Sequence, residues 1–195
     1  MCGLRALCKW PGSGGEQETW LQLTRSPQRG AGYQAAVRVG SRYRVLQRGS
    51  VRFWESRSSC ECLHFGQPRR EMTARFIRAC ENPHVHVIGH PTARKIGRRP
   101  PVDVDFAELF RACARTGTAL EVNSHPDRLD LPAEHIRAAR DAGVKFAIDS
   151  DAHSTAHLAN LRYGIGQAQR GWLTPDDVIN TWPLPRLREF LRKGS

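Results

Sequence analysis

The sequence predicts an α/β chain built on a parallel sheet, and three observations predict it. Short apolar strand patterns, Val85 to Gly89, Thr118 to Val122 and Val144 to Ile148, alternate with helical patterns. Each strand pattern ends in polar residues: Gly89-His90-Pro91, Glu121-Val122-Asn123 and Asp149-Ser150-Asp151-Ala152-His153. Polar residues at the carboxyl ends of parallel strands are where α/β proteins carry their chemistry. The spacing between strands also fits right-handed βαβ connections.

The elements follow in order from His64, where the texture of the chain changes. Pro68 opens a helical stretch through Asn82, with Met72, Phe76, Ile77 and Cys80 recurring on one face. Asn82-Pro83 stops it, and the Val85 strand runs to His90-Pro91. Thr92 to Val104 reads as a basic loop, and Asp105 caps a helix carrying Phe106, Leu109, Phe110 and Cys113. Cys80 and Cys113, on apolar helix faces, are expected to be core thiols. After the Thr118 strand and a loop, Pro132 to Ala142 is a helix closed by Gly143. The Val144 strand follows, then a helix from His153 to about Gln169. A short helix opened by Thr174-Pro175-Asp176-Asp177 and a last one over Leu184 to Arg192 complete the pattern.

Residues 1–62 show neither helical nor strand period and are expected to form a poorly ordered basic segment ahead of a domain over 63–195. A short hairpin between Tyr33 and Phe53 is the one local pattern there. Thirty Lys and Arg against nineteen Asp and Glu give a net charge of +11, which favours a polyanionic partner such as nucleic acid. The first 62 residues hold ten basic and four acidic side chains, so over half of that excess lies outside the patterned region. No run of eighteen apolar residues is present, and Met1 to Trp10 lacks an apolar stretch of signal length. A soluble, cytoplasmic chain with no membrane partner is expected. Cys60-Glu61-Cys62-Leu63-His64 lacks the second ligand pair of a zinc module.

The strand ends carry the candidate chemistry. Asp151 and His153 are two apart in an extended segment and so point to the same side, a spacing suited to metal ligation. The alternative is that the aspartates cap the following helix and His153 lies at the surface. With His90 from the neighbouring strand, they would make a set of two nitrogens and a carboxylate for Zn, Mn or Fe.

Gly89-His90-Pro91-Thr92, Gly97-Arg98-Arg99-Pro100, Gly117-Thr118-Ala119-Leu120-Glu121-Val122-Asn123, Arg128-Leu129-Asp130-Leu131, Asp149-Ser150-Asp151-Ala152-His153-Ser154 and Arg170-Gly171-Trp172-Leu173 carry a resemblance. Together they resemble the final part of the PHP (polymerase and histidinol phosphatase) domain, in the version found at the C-terminus of bacterial family X DNA polymerases. The resemblance implies an incomplete, distorted (β/α)7 TIM-like barrel and a centre of several divalent metals with phosphoesterase chemistry, in that polymerase a 3'-5' exonuclease. It implies metal ligation by His90, Asp151 and His153, with Asp151 and His153 also catalytic, and by His64, which lies near the family's Ser-Val-His motif. Arg128 would bind the phosphate ester substrate, and DNA 3' ends and an upstream polymerase domain are the implied partners. The family's first His-x-His strand and the Asp, His and Glu ligands after it have no counterpart in residues 1–62, which contain no histidine. His84-Val85-His86 has that spelling but occupies a different strand. A truncated, non-catalytic remnant with weak or no metal binding therefore stands as the alternative, and a basic nucleic-acid-binding module as a third reading.

Overall fold

The computed structural model describes residues 66–192 and, before them, the backbone of four strands: β1 (Trp20–Thr24), β2 (Gln34–Val39), β3 (Arg42–Val45) and β4 (Phe53–Glu55). β1, β2 and β3 form an antiparallel sheet in that order, with Arg38 opposite Tyr43 in the β2–β3 pair. His64, the cysteines of the first 62 residues and most of the expected N-terminal segment lie outside the described residues. Among the described residues, no helix is long and apolar enough to cross a membrane.

The expected parallel sheet is present. β5 (Val87–Gly89), β6 (Ala119–Asn123) and β7 (Phe146–Asp149) run parallel in sequence order, and β4 extends the sheet on the far side of β5. Phe53 lies in register with Val87, and Glu55 with Gly89. Four parallel strands with helices make an α/β layer, which does not by itself amount to a closed barrel.

The helices begin and end where local chemistry dictates. α1 (Arg69–Glu81) starts behind Pro68, and α2 (Phe106–Thr116) is capped by Asp105, whose side chain accepts from Glu108 N at 3.0 Å. Gly117 ends α2 in the left-handed region, φ 65°, where glycine carries no Cβ penalty. α3 (Ala133–Asp141) follows Pro132. Two strands start later than their apolar patterns. Val85 N–H donates to Asn82 O and Val144 N–H to Ala139 O, so these amides finish the preceding helices before the chain can enter the sheet.

The expected continuous helix after His153 is instead a 3-10 segment, Thr155–Asn160, followed by α4 (Leu161–Arg170). Its first turn closes through the tighter i to i+3 bond from His157 N to Ser154 O at 3.1 Å. The segment opened by Thr174 is likewise only a 3-10 turn, Pro175–Asp177, held by Asp177 accepting from Thr174 N and Oγ1 at 3.0 and 2.8 Å. A second turn, Ile179–Thr181, precedes α5 (Leu184–Phe190).

Strand alternation sorts the core into two faces. Ile88, Leu120, Val122, Phe146 and Ile148 pack against α1 to α4 through Met72, Phe76, Leu109, Ile136 and Leu161. Cys80 and Cys113 are buried in this layer with their sulfurs 3.6 Å apart. On the other face Val87, Ala119 and Ala147 meet Ile179, Trp182 and Leu187. At the outer edge of β7, Phe146 bridges to Val178, and Asn180 accepts from Ile148 N at 3.1 Å and donates to Ile148 O at 2.8 Å. Further along the second face, towards the carboxyl ends, stand Glu121, Asn123 and Asp149.

Candidate metal and phosphate site

His90 follows β5 directly and Asp151 comes two residues after β7, and both sit at positive φ, 49° and 48°. Side chains rarely adopt this region, which costs of order 1–3 kcal/mol unless surrounding contacts hold it. Here buried carboxylates do so. Glu121 Oε2 accepts from His90 N at 2.5 Å, and Asp149 Oδ1 accepts from Asp151 N at 3.1 Å. The turned backbones aim both side chains over the rim, with His90 Nε2 3.9 Å from Asp151 Oδ2. Arg128, nearly buried, reaches the same carboxylate oxygen with Nε at 3.3 Å.

Two loops frame this group and are stitched together. Thr92 N–H lies 3.2 and 3.1 Å from the two oxygens of Asp130, and Ile96 N donates to Asp127 O at 2.7 Å. Arg94 donates to Arg128 O at 2.7 Å and to Leu129 O. Arg94 thereby fixes the backbone that carries Arg128.

The electrostatics follow from burial. Burial drives the Asp149 carboxyl well above the carboxylate range, and the neighbouring Glu121 charge adds to it. Burial opposes the charge of Glu121 too, but the His90 ring and its hydrogen bonds prevail and hold that carboxyl below its ordinary value. The two carboxyls share a hydrogen bond, and their shifts run in opposite directions, Glu121 down and Asp149 up. Desolvation works against a charged His90, yet Glu121 outweighs it and the imidazole pKa is raised. The carboxyl of Asp130 is pushed up to about 6, by burial above all.

The sequence-predicted residues divide. His90, Asp151 and Arg128 come together. His153 stands beside Asp151 with 72% of its side chain exposed, its Nδ1 donating to Asp151 O at 2.7 Å and lying 3.8 Å from Asp151 Oδ1. Its ring neighbours His157, whose Nδ1 accepts from His153 N at 3.3 Å, and His157 packs edge-on against His125. In the His-x-His spelling, His84 is exposed and the buried His86 has Nε2 3.0 Å from Leu191 O, below the sheet's other end. Sequence reasoning missed Glu121, Asn123, Asp130 and Asp149 as site residues. The available signal was their type: polar side chains closing otherwise apolar, fully buried strands.

The donor chemistry fits a divalent ion. Imidazole nitrogen and carboxylate oxygen suit Zn, Mn or Fe, and Glu121 and Asp151 lie 3.1 and 3.9 Å from the His90 ring nitrogens, with Arg128 beside Asp151. Ser150 Oγ, between two of these aspartates in sequence, is buried with no hydrogen-bond partner among the described residues. Donor number is smaller: among the described residues, no three His, Cys, Asp or Glu side chains are grouped so as to hold an ion.

No protein-family model matches the sequence. The chain is 38% identical over 131 residues to the DNA polymerase/3'-5' exonuclease PolX of Bacillus subtilis, a match covering 67% of this chain and 23% of that protein. It is 25% identical over 127 residues to a probable phosphatase of Thermoanaerobacter sp., covering 62% of this chain and 49% of the relative. A probable phosphatase of Syntrophotalea carbinolica is 26% identical over 115 residues. The chain thus spans from 23% to 49% of the length of these relatives, and the similarity is consistent with a PHP-type domain of phosphoesterase character.

Proposed function

We propose that the chain carries part of a metal-dependent phosphoesterase site of PHP type, acting on phosphate esters and, by its similarity to the Bacillus polymerase, on DNA 3' ends. The observation that supports it is the meeting of His90, Asp151 and Arg128 above buried carboxylates at the carboxyl rim of a parallel sheet. In this reading His90, Asp151 and His153 hold the metal, with His64 as a further ligand. A bound divalent ion supplies charge neutralisation at a phosphoryl oxygen. Arg128 orients the phosphate through its guanidinium fork, which matches phosphate geometry better than an ammonium does. Asp151 balances Arg128 until substrate arrives, and the buried Glu121 and Asp149 keep the rim rigid. A polymerase domain belongs to this reading as an upstream partner in longer relatives.

One observation favours a second reading, a non-catalytic remnant. Arg128 already neutralises Asp151 at 3.3 Å, which is the role a metal would otherwise take. Metal analysis of purified chain, coupled to hydrolysis of a phosphodiester in Zn or Mn, separates the two. The phosphoesterase reading expects bound metal and metal-dependent hydrolysis, both lost in Asp151→Ala. Absence of metal, or hydrolysis unchanged by that substitution, defeats it.

A further inference from the structure

Among the described residues, Glu121 is the one carboxylate of the rim that meets His90 twice. Its Oε2 accepts from the His90 backbone N–H at 2.5 Å and lies 3.1 Å from His90 Nδ1. The same Nδ1 is 3.2 Å from the amide nitrogen of Asn123. These two neighbours make opposite demands. Glu121 as an acceptor needs a proton on Nδ1, whereas the Asn123 amide as a donor needs a lone pair there.

The surroundings decide the contest. Asn123 Oδ1 accepts from His125 N at 3.0 Å, which turns its amide nitrogen towards Glu121 and His90. That nitrogen has a second acceptor, Glu121 Oε1 at 3.3 Å, so it loses little if Nδ1 is protonated. Glu121 is buried, and its Oε2 already accepts from the His90 backbone N–H, so it faces the ring as an acceptor; a charge-assisted N–H···O− bond is roughly twice as strong as a neutral one. The proton therefore belongs on Nδ1, and the lone pair falls on Nε2, the nitrogen facing Asp151.

We infer that Glu121 is a positioning residue that fixes the ring orientation and tautomer of His90, so that Nε2 is presented as the ligating nitrogen. Carboxylates that hold a ligating histidine in this way are worth tenfold to a hundredfold in metal affinity. Only the purpose of the presented nitrogen rests on the phosphoesterase reading; the tautomer does not.

The test is nitrogen-15 NMR of the His90 ring in the full-length, metal-free chain at a pH where the ring is neutral, assigned by its loss in His90→Asn. The proton is expected on Nδ1 in the wild type and in Asn123→Ala. Glu121→Gln, which keeps the shape but removes the charge, should move the population towards the Nε2–H form and weaken Zn binding by about tenfold or more. A wild-type ring protonated on Nε2, or a tautomer ratio unchanged in Glu121→Gln, overturns the inference. The wild-type measurement decides even if the variants fail to fold. A wild-type chain that binds no Zn but has Nδ1–H counts against the metal reading while leaving the positioning intact.

Discussion

Replacing Gly164 by alanine sets two known effects against each other, and the structure says which wins. Gly164 lies in α4 where the helix crosses the ends of β6 and β7. A Cβ there would stand 2.0 Å from Ser124 Oγ and 3.0 Å from both Ser124 Cβ and Ile148 Cγ2. Ser124 Oγ has no hydrogen-bond partner among the described residues, so the hydroxyl can rotate away at small cost. The two carbon contacts remain, because both belong to fully packed strand ends. Alanine gains about 1 kcal/mol of helix propensity over glycine. Overpacking a filled interface costs about 1–3 kcal/mol. The balance is a loss of about 1 kcal/mol, a fall of about 2–4 °C in Tm for a chain of this size. Gly166, in the same helix, provides the comparison, since a Cβ there meets nothing within 4 Å. Gly166→Ala should raise Tm by a similar amount. Thermal unfolding of both variants by circular dichroism checks this, and a Gly164→Ala chain that gains stability as Gly166→Ala does would refute the packing argument.

Phe76→Ala, at a fully buried position between helices and sheet, should cost about 3–5 kcal/mol in urea unfolding. Asp130 has a folded-state pKa of about 6, above the ordinary 3.8, so its contribution to stability is present below pH 3.8 and is lost as pH rises through about 6. Asp130→Asn keeps an acceptor for Thr92 N–H and should be more stable than wild type near pH 7 by about 2–3 kcal/mol, with the advantage vanishing at low pH; equal stabilities at both ends of that range would exclude the burial argument. Arg128→Gln removes the cation 3.3 Å from Asp151, so calorimetry should find divalent metal bound severalfold more tightly while phosphodiester hydrolysis falls. Weaker metal binding in that variant would show that Arg128 supports the ion rather than competing with it.

What was legible in the sequence was local. Asp105 and Gly117 bracket α2 because capping and left-handed closure need only neighbours along the chain. His90 and Asp151 stood out because three apolar strand patterns each end in polar residues and Asp151-Ala152-His153 has the spacing of a ligand pair. The pairing of Glu121 with His90, 31 residues away, carries no local signal, since it exists only once β5 and β6 are side by side. The same holds for the positive φ of His90 and Asp151: nothing in either residue type announces it, and carboxylates from the strand ends enforce it. His153 illustrates the limit of period-two reasoning. Asp151 and His153 would share a side in extended chain, but Asp151 sits at positive φ, and His153 lies beside it with most of its side chain exposed. Phe53–Glu55 joins the sheet beside β5 although its stretch shows no strand period of its own.

The bidentate grip of Asn180 on Ile148 gives the sheet a direction. Its carbonyl and amide imitate one peptide unit of an absent neighbour, and with Val178 bridging Phe146 the outer margin of β7 is finished. No described strand lies beyond β4 at the opposite margin. Among the described residues, a further strand can therefore be accepted only at the β4 margin, away from Asp151 on the side where His90 stands. A strand added in parallel would lay its carboxyl end next along the same rim, so the groups that can reach a shared ligand would grow outward from His90 while the Asp151 end stays closed. Asn180→Leu would remove this polarity, leaving two margins able to recruit backbone and a chain that self-associates through either.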